Sequence, residues 1–122
     1  MAFSNLHHAN FMLLTTFRKT GVGVPTPVWF AQQGDKLYVF TDAQSGKVKR
    51  IRHTPRVTVA PCNLRGDLAG DTVEGTARVL DASEFAHANA VMNQKYGFQK
   101  RIFDVIGKLR RHRARVFLEV SA

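Results

Sequence analysis

Phe11–Phe17, Val24–Gln32 and Leu37–Thr41 are three stretches rich in β-favouring residues, separated by only six and four residues. That spacing constrains the fold more than any other feature of the chain. A parallel pair of strands needs a crossover of about a dozen residues or more, so neighbours this close must run antiparallel. Lys19-Thr20-Gly21 marks the first turn and Gln33-Gly34-Asp35-Lys36 reads as a hairpin turn, so an antiparallel meander of the three is expected. Pro25 and Pro27 lie near the start of the second stretch. Proline cannot donate to a ladder, which makes that end an edge, an entry or a bulge.

The rest of the chain extends this pattern. Ser45–His53 predicts a short helix, with Ser45 as its cap and Val48 and Ile51 on its inner face. Thr54-Pro55 ends it. Arg56–Ala60 alternates with period two, as a half-buried strand does, and Asn63–Asp71 is a charged loop with two glycines. Thr72–Leu80 predicts another strand, interrupted by Gly75. Ser83–Tyr96 predicts a helix through Phe85, Ala88, Met92 and Tyr96, with Gly97 as its C-terminal cap. A second helix is expected over Gln99–Leu109, followed by a last strand over Ala114–Val120. At 122 residues this is one domain, mainly β with a few short helices, and a small antiparallel barrel is its natural closure. A domain this small buries a modest core, so dimerisation would add stability and a groove for a ligand.

Charge narrows the partners. The chain carries 18 Lys/Arg against nine Asp/Glu, a formal charge of +9. The excess is clustered, with five basic residues between Lys47 and Arg56, and seven between Lys100 and Arg115 against Asp104 alone. Such clusters favour an anion: nucleic acid, an acidic membrane surface or a polyanionic small molecule. Cys62 is the single cysteine, so no intrachain disulfide forms, which fits a reducing compartment. No apolar run is long enough to span a bilayer as a helix, and Met1–His8 lacks the pattern of a signal peptide. The expectation is a cytoplasmic protein without a membrane partner.

Within the first basic cluster, Ser45, Gly46, Lys47 and Lys49 follow the threonine that ends a strand. A hydroxyl, a glycine that admits close backbone approach and two ammonium groups at a helix start can hold a phosphate. The same residues also read as a helix cap followed by a solvated basic face.

Five segments in order resemble a known family: Val24-Pro25-Thr26-Pro27-Val28-Trp29-Phe30, Leu37–Thr41, Ser45–Arg52, Pro55-Arg56-Val57 and Val73–Ala77. They are similar to the split β-barrel superfamily of pyridoxamine 5′-phosphate oxidase-like flavin and deazaflavin proteins. Within it they resemble the small branch that uses coenzyme F420. The likeness implies an antiparallel, Greek-key-like split barrel that works as a homodimer with its cofactor between subunits. It implies that Thr26, Pro27, Val28 and Trp29 run along the flavin-type ring, and that Phe40 and Thr41 end a strand beside the phosphate. It makes Ser45, Gly46 and Lys47 the phosphate-binding turn, followed by Lys49 and Arg50 on the helix. Residues Gly70–Glu74 would belong to the partner's half of the site. The oxidase pattern itself has an arginine where Gly46 stands and substrate-phosphate residues without an evident counterpart here, which argues against pyridoxine-phosphate oxidation.

Coenzyme F420 carries a phosphodiester and an oligoglutamate tail, which Lys49, Arg50, Arg52 and Arg56 would guide. FMN, with one terminal phosphate, is the alternative cofactor. The implied activity is transfer of a hydride from the reduced deazaflavin to a small electron-poor organic substrate. The alternative of another class is a non-catalytic basic protein that binds haem, another tetrapyrrole or nucleic acid. Lys108–Arg115 has no aromatic residue among its charges, so it reads as a solvated connector, and nucleic acid is not the expected partner. His7, His8, His53, His87 and His112 show no ligand spacing, so no metal is expected. Trp29 reads as a core or ring-lining aromatic, and Cys62 as an inert thiol. Tyr38 and Tyr96 are the candidate proton donors, with core packing as their other role. No catalytic residue is assigned.

Overall fold

The structure is a computed structural model that describes residues 3–6, 9–96 and 115–122, with Tyr96 described by its backbone alone. The expected helix over 99–109, the Gly97 cap, most of the basic run 108–115, and His7, His8 and His112 lie outside the described residues. Among the described residues, seven strands form one antiparallel sheet: β1 Phe11–Phe17, β2 Gly23–Trp29, β3 Ala31–Gln33, β4 Lys36–Asp42, β5 Arg56–Cys62, β6 Val73–Val79 and β7 Arg115–Ser121. Their order across the sheet is β2-β1-β5-β6-β7-β4-β3. The sheet curls into a half-barrel, with α1 Gly46–His53 and α2 Phe85–Tyr96 packed against it. Asp81 caps the short 3₁₀ turn Ala82–Glu84 that leads into α2, its carboxylate accepting from the Ser83 amide at 3.1 Å. The helix expected to begin at Ser83 therefore opens as a tighter turn.

The expected meander is not what forms. The stretch Val24–Gln32 breaks at Phe30 into β2 and β3. β2 pairs with β1 at one edge of the sheet, and β3 pairs with β4 at the other. Phe30 belongs to neither ladder; it is fully buried in one hydrophobic cluster, and Ala31 in the other on the opposite face, as strand alternation gives. The segment thereby joins the two edges of the sheet. The carbonyl of Phe30 is met by Lys95 from α2, whose Nζ donates to it at 2.7 Å and to the Ala9 carbonyl at 2.8 Å. The ammonium also lies 3.6 Å from the centre of the Phe30 ring.

The first cluster fills the concave side of the half-barrel, with Met12, Leu14, Leu37, Val39, Val57, Val59, Leu118 and Val120 from the strands and Val48 and Ile51 from α1. The second lies under α2 and joins Ala31, Tyr38, Leu80 and Phe117 to Ala88, Val91 and Met92. Gly75 does not interrupt β6; it pairs with Val57. A Cβ there would stand 2.9 Å from the Ser121 carbonyl oxygen, so glycine is what lets β6 pass so close to β7. In the β3–β4 turn Gly34 takes φ +57°, a conformation that glycine adopts without cost.

One polar row crosses the sheet beside the second cluster. The ladder sets Tyr38 opposite Glu119, and Glu119 opposite Arg78. The Tyr38 hydroxyl donates to Glu119 Oε2 at 3.1 Å, Arg78 Nε to Glu119 Oε1 at 3.0 Å, and Lys36 Nζ to the same oxygen at 3.3 Å. Arg78 then forks onto Glu84 at 2.9 and 2.5 Å, tying the α2 approach to the sheet. Burial alone would raise the Glu119 carboxyl, but Arg78 and Lys36 hold it below the ordinary range. Burial, followed by the Glu119 charge, pushes the Tyr38 phenol up to about 12.

The signs follow from linkage. The Tyr38 contribution to stability is complete below the ordinary tyrosine pKa and is lost as pH rises through about 12, whereas that of Glu119 is lost as pH falls through its depressed value. Glu119→Ala removes the acceptor of a buried hydroxyl and should cost about 2 kcal/mol in urea unfolding. In that variant the near-ultraviolet titration midpoint of Tyr38 should drop from about 12 yet stay above the ordinary tyrosine value, because burial is the larger cause. An unchanged midpoint would remove Glu119 from the account.

Candidate functional site

The candidate site is where β4 ends and α1 begins. After Thr41, Asp42 makes the turn: its carboxylate accepts from the Gln44 amide at 2.8 Å, and its carbonyl accepts from the Ser45 amide at 3.0 Å. This side-chain turn delivers the chain into α1 with the first helical amides at the end of β4. There is no acid in the first turn of α1, while Arg50, Arg52 and His53 lie in its last turn. A helix start favours an anion.

Ser45 occupies the N-cap position but does not cap: its side chain makes no bond to the helix amides. Its Oγ is instead buried without a hydrogen-bond partner. Gly46 opens space that another residue fills. A Cβ at Gly46 would lie 2.6 Å from Arg50 Nη1, so the guanidinium of Arg50 folds back over the start of its own helix. Arg50 is held there by Thr16 of β1, a fully buried residue whose Oγ1 accepts from Arg50 Nε at 2.6 Å. Lys47 is half-buried. Burial and the nearby Arg50 lower its pKa, and only Asp42 opposes them. Lys49 and Arg52 are exposed. Arg56 is committed elsewhere, to Glu74 at 2.7 Å and to the Phe17 ring at 4.5 Å.

Three contributors were not singled out as site residues from the sequence. Asp42 carries a local signal, an acidic residue two positions before the amide it binds. Thr16 carries none, because it meets Arg50 across 34 residues of chain. Arg115 stands opposite Asp42 in the β4–β7 ladder, and its Nε is buried without a hydrogen-bond partner. Its guanidinium lies 6.0 Å from the Phe40 ring centre.

The four β2 residues do not act as one surface. Thr26 and Val28 face the concave side opposite Leu14 and Met12, whereas Pro27 and Trp29 face outward opposite Leu13 and Phe11. Thr16 stands opposite Val24, so Thr26 is near the α1 end of β2, whereas Trp29 is five residues from Val24, about 17 Å along the strand. Phe40 and Thr41 likewise diverge. Phe40 packs edge-on against Phe117 at 4.7 Å, beneath α2, while Thr41 is buried on the opposite face of β4. The residues that the structure gathers at one place are Thr41, Asp42, Ser45, Gly46, Lys47 and Arg50, with Thr16 behind them and Lys49 on the exposed side of the helix.

A phosphate group fits this arrangement. It would accept from the stranded Ser45 hydroxyl and the first α1 amides, and would neutralise Lys47 and Arg50, which now repel each other. Among the described residues no group of three or more His, Cys, Asp or Glu side chains could hold a metal ion, and no helix is long and apolar enough to cross a membrane.

Residues 2–122 match the pyridoxamine 5′-phosphate oxidase family. The chain belongs to that family. Among solved structures it is similar to HutZ, the haem storage protein of Vibrio cholerae, with 13% identity, a TM-score of 0.70 and coverage of 99% of this chain and 90% of that one. It is also similar to a FAD-binding protein of Mesorhizobium loti, with 17% identity, a TM-score of 0.61 and coverage of 96% and 82%. A third likeness is a domain-swapped dimer, with 16% identity, a TM-score of 0.65 and coverage of 92% and 80%. At these identities the structures share the half-barrel fold. No curated protein matches the chain by sequence.

Ser45→Ala tests whether the stranded hydroxyl belongs to a ligand. A serine that caps a helix loses about 1 kcal/mol on truncation. Here unfolding stability should change by less than about 0.5 kcal/mol, because the hydroxyl bonds nothing in the protein. A loss near that of a true cap would show that the hydroxyl serves the helix.

Proposed function

We propose that this protein is an oxidoreductase of the pyridoxamine 5′-phosphate oxidase family that holds the phosphate of a flavin-type cofactor, coenzyme F420 in the first place, at the start of α1. The buried Ser45 hydroxyl without a partner carries this reading, because it lies among helix amides, Lys47 and Arg50. The Arg50 guanidinium over Gly46 also softens the departure from the oxidase pattern, which has an arginine at the glycine's place. One turn later in sequence, Arg50 brings the same group to the same end of the helix.

When bound, the cofactor supplies hydride transfer to a small electron-poor organic substrate. The protein's part is binding and placement. Ser45 and the α1 amides donate to the phosphate, Lys47 and Arg50 balance its charge, and Thr16 fixes the Arg50 fork. Lys49 and Arg52, exposed on the same helix, suit an anionic tail, which favours F420 over FMN. Arg56 is withdrawn from that role by its pairing with Glu74. Of the four β2 residues, Thr26 lies nearest the α1 end on the concave face and is the one placed to meet the ring, whereas Pro27 and Trp29 face away; the second proton of the reduction comes from water.

A homodimer belongs to the same reading. The ladder lines up Leu68, Cys62, Phe11 and Trp29 on the outer face, where Leu68 is 58% and Trp29 42% exposed. Leu64, 70% exposed, is in the same loop as Leu68. An apolar row of this kind marks an interaction surface, and a second copy would cover it beside Pro27 and Trp29.

Titration of the purified protein with oligoglutamyl F420, and separately with FMN, followed by cofactor fluorescence, tests the proposal. F420 should bind more tightly, and Lys47→Ala should weaken it at least about tenfold while leaving unfolding stability intact. Tight binding of FMN alone would move the protein to the flavin group. Binding of neither, with a Soret band on addition of haem, would replace the oxidoreductase reading by that of a tetrapyrrole-binding protein.

A further inference from the structure

Among the described residues, Phe3 is the one non-glycine residue with a positive φ, at +63°. A bulky side chain rarely takes this left-handed conformation, and holding it there costs free energy. Phe3 is nevertheless buried, with its ring in the concave cluster. The ring lies where β6 passes β7: a Cβ at Gly75 would come within 3.3 Å of Phe3 Cζ. A single 3₁₀ turn, Ser4–Leu6, follows, and Leu6 is fully buried in the same cluster. Phe3–Leu6 therefore lies as a strap over the concave core.

Little holds the strap down. Within it, the Leu6 amide donates to the Phe3 carbonyl at 3.0 Å, and the Ala9 amide donates to the Leu6 carbonyl at 3.1 Å. Asn5 Nδ2 donates to the Asp71 carbonyl at 2.8 Å. Gln32 Nε2 is divided between the Phe3 carbonyl at 3.2 Å and the Gly34 carbonyl at 3.3 Å. That grip leaves Gln32 Oε1 buried without a hydrogen-bond partner, a second cost of the closed form. Two buried side chains are set against these costs and against the entropy of ordering the segment. The strands, by contrast, are held by continuous ladders as well as by the core.

We propose that Phe3–Leu6 is a releasable strap, which opens and closes over the concave core while the sheet stays folded. On opening, Phe3 relaxes to a negative φ, the Gln32 amide reaches water and the concave face beside Gly75 is uncovered. Access to that face is set by this segment and not by the sheet. The strap shares no residue with the α1 site, and it works whether or not a cofactor binds there.

Native-state hydrogen exchange of the full chain in low urea tests the proposal. The Leu6 and Ala9 amides should exchange together, at least about 100-fold faster than the ladder amides of β5 and β7, and almost independently of urea. Phe3→Ala should strip the protection from Leu6 and Ala9. Exchange in β5 and β7 should then rise by no more than the protection factor that Leu6 has in the natural chain, because the open form is all that remains to unfold. The first measurement decides the matter if Phe3→Ala fails to fold. Exchange of Leu6 and Ala9 at the ladder rate would show that the strap leaves only on global unfolding. Absence of any protection at Leu6 and Ala9, or a rise in β5 and β7 beyond that bound, would also overturn the proposal.

Discussion

The single residue Phe30, between β2 and β3, holds the architecture together. There the chain leaves the ladder with β1 at one edge of the sheet and enters the ladder with β4 at the other. Phe30 and Ala31 are both buried, on opposite faces, so the seam is anchored in both hydrophobic clusters. A sheet whose two edges are joined by one residue must curl. The carbonyl of Phe30 is met by Lys95, so the ammonium, burial and ring contact at Phe30 fix α2 to the seam. Burial pushes this lysine down to about 8. Two carbonyl acceptors and an aromatic face act the other way, favouring the charged form.

Closure of the sheet also creates the α1 site. β1 and β4 are remote neighbours in the sheet order, yet curling brings Thr16 of β1 to the helix that follows β4. The Arg50 side chain bridges that gap. It would otherwise be one more exposed cation on a basic helix, and Thr16 gives it a direction. Gly46 then matters through the space it leaves: the guanidinium occupies the place a side chain would take. A cluster of cations with a stranded hydroxyl is unfavourable by itself, since like charges repel and an unmet polar atom costs free energy. Local strain of this kind is offset by the cores on either side of the sheet, and an anion bound as proposed would relieve it.

Much of the local structure was legible. β1 has the limits that its β-favouring run suggests, α1 begins one residue after the expected cap, and β6 and β7 lie within a residue of their expected bounds. Period-two and helical patterns report which face of an element meets a core, and those faces are right for Val48, Ile51, Ala88 and Met92. The break at Phe30 was not legible, because no Gly, Pro or Asx marks a turn between Val28 and Gln32, and the strands that end one ladder and begin the other are distant in sequence. The Ser45 cap failed for a related reason. A serine before a helix signals a cap through local propensity, but its hydroxyl is spent, or stranded, according to what surrounds it. Of the cations credited to the tail, Arg56 could not be told from Lys49 or Arg52 until β5 and β6 set it beside Glu74.

The amino-acid sequence by itself determined the antiparallel class, the position of the helix that follows Thr41 and the basic character of that helix. These depend on neighbours in the chain: connection lengths, side-chain period and clustered charge act over a few residues. Tertiary structure alone decided that the sheet splits at Phe30, that Thr16 holds Arg50, that β2 divides its four residues between two faces, and that Gln32 grips the Phe3 carbonyl. Each of these joins groups distant in sequence. Their energies come from shared burial and hydrogen bonds that exist only after the sheet has curled.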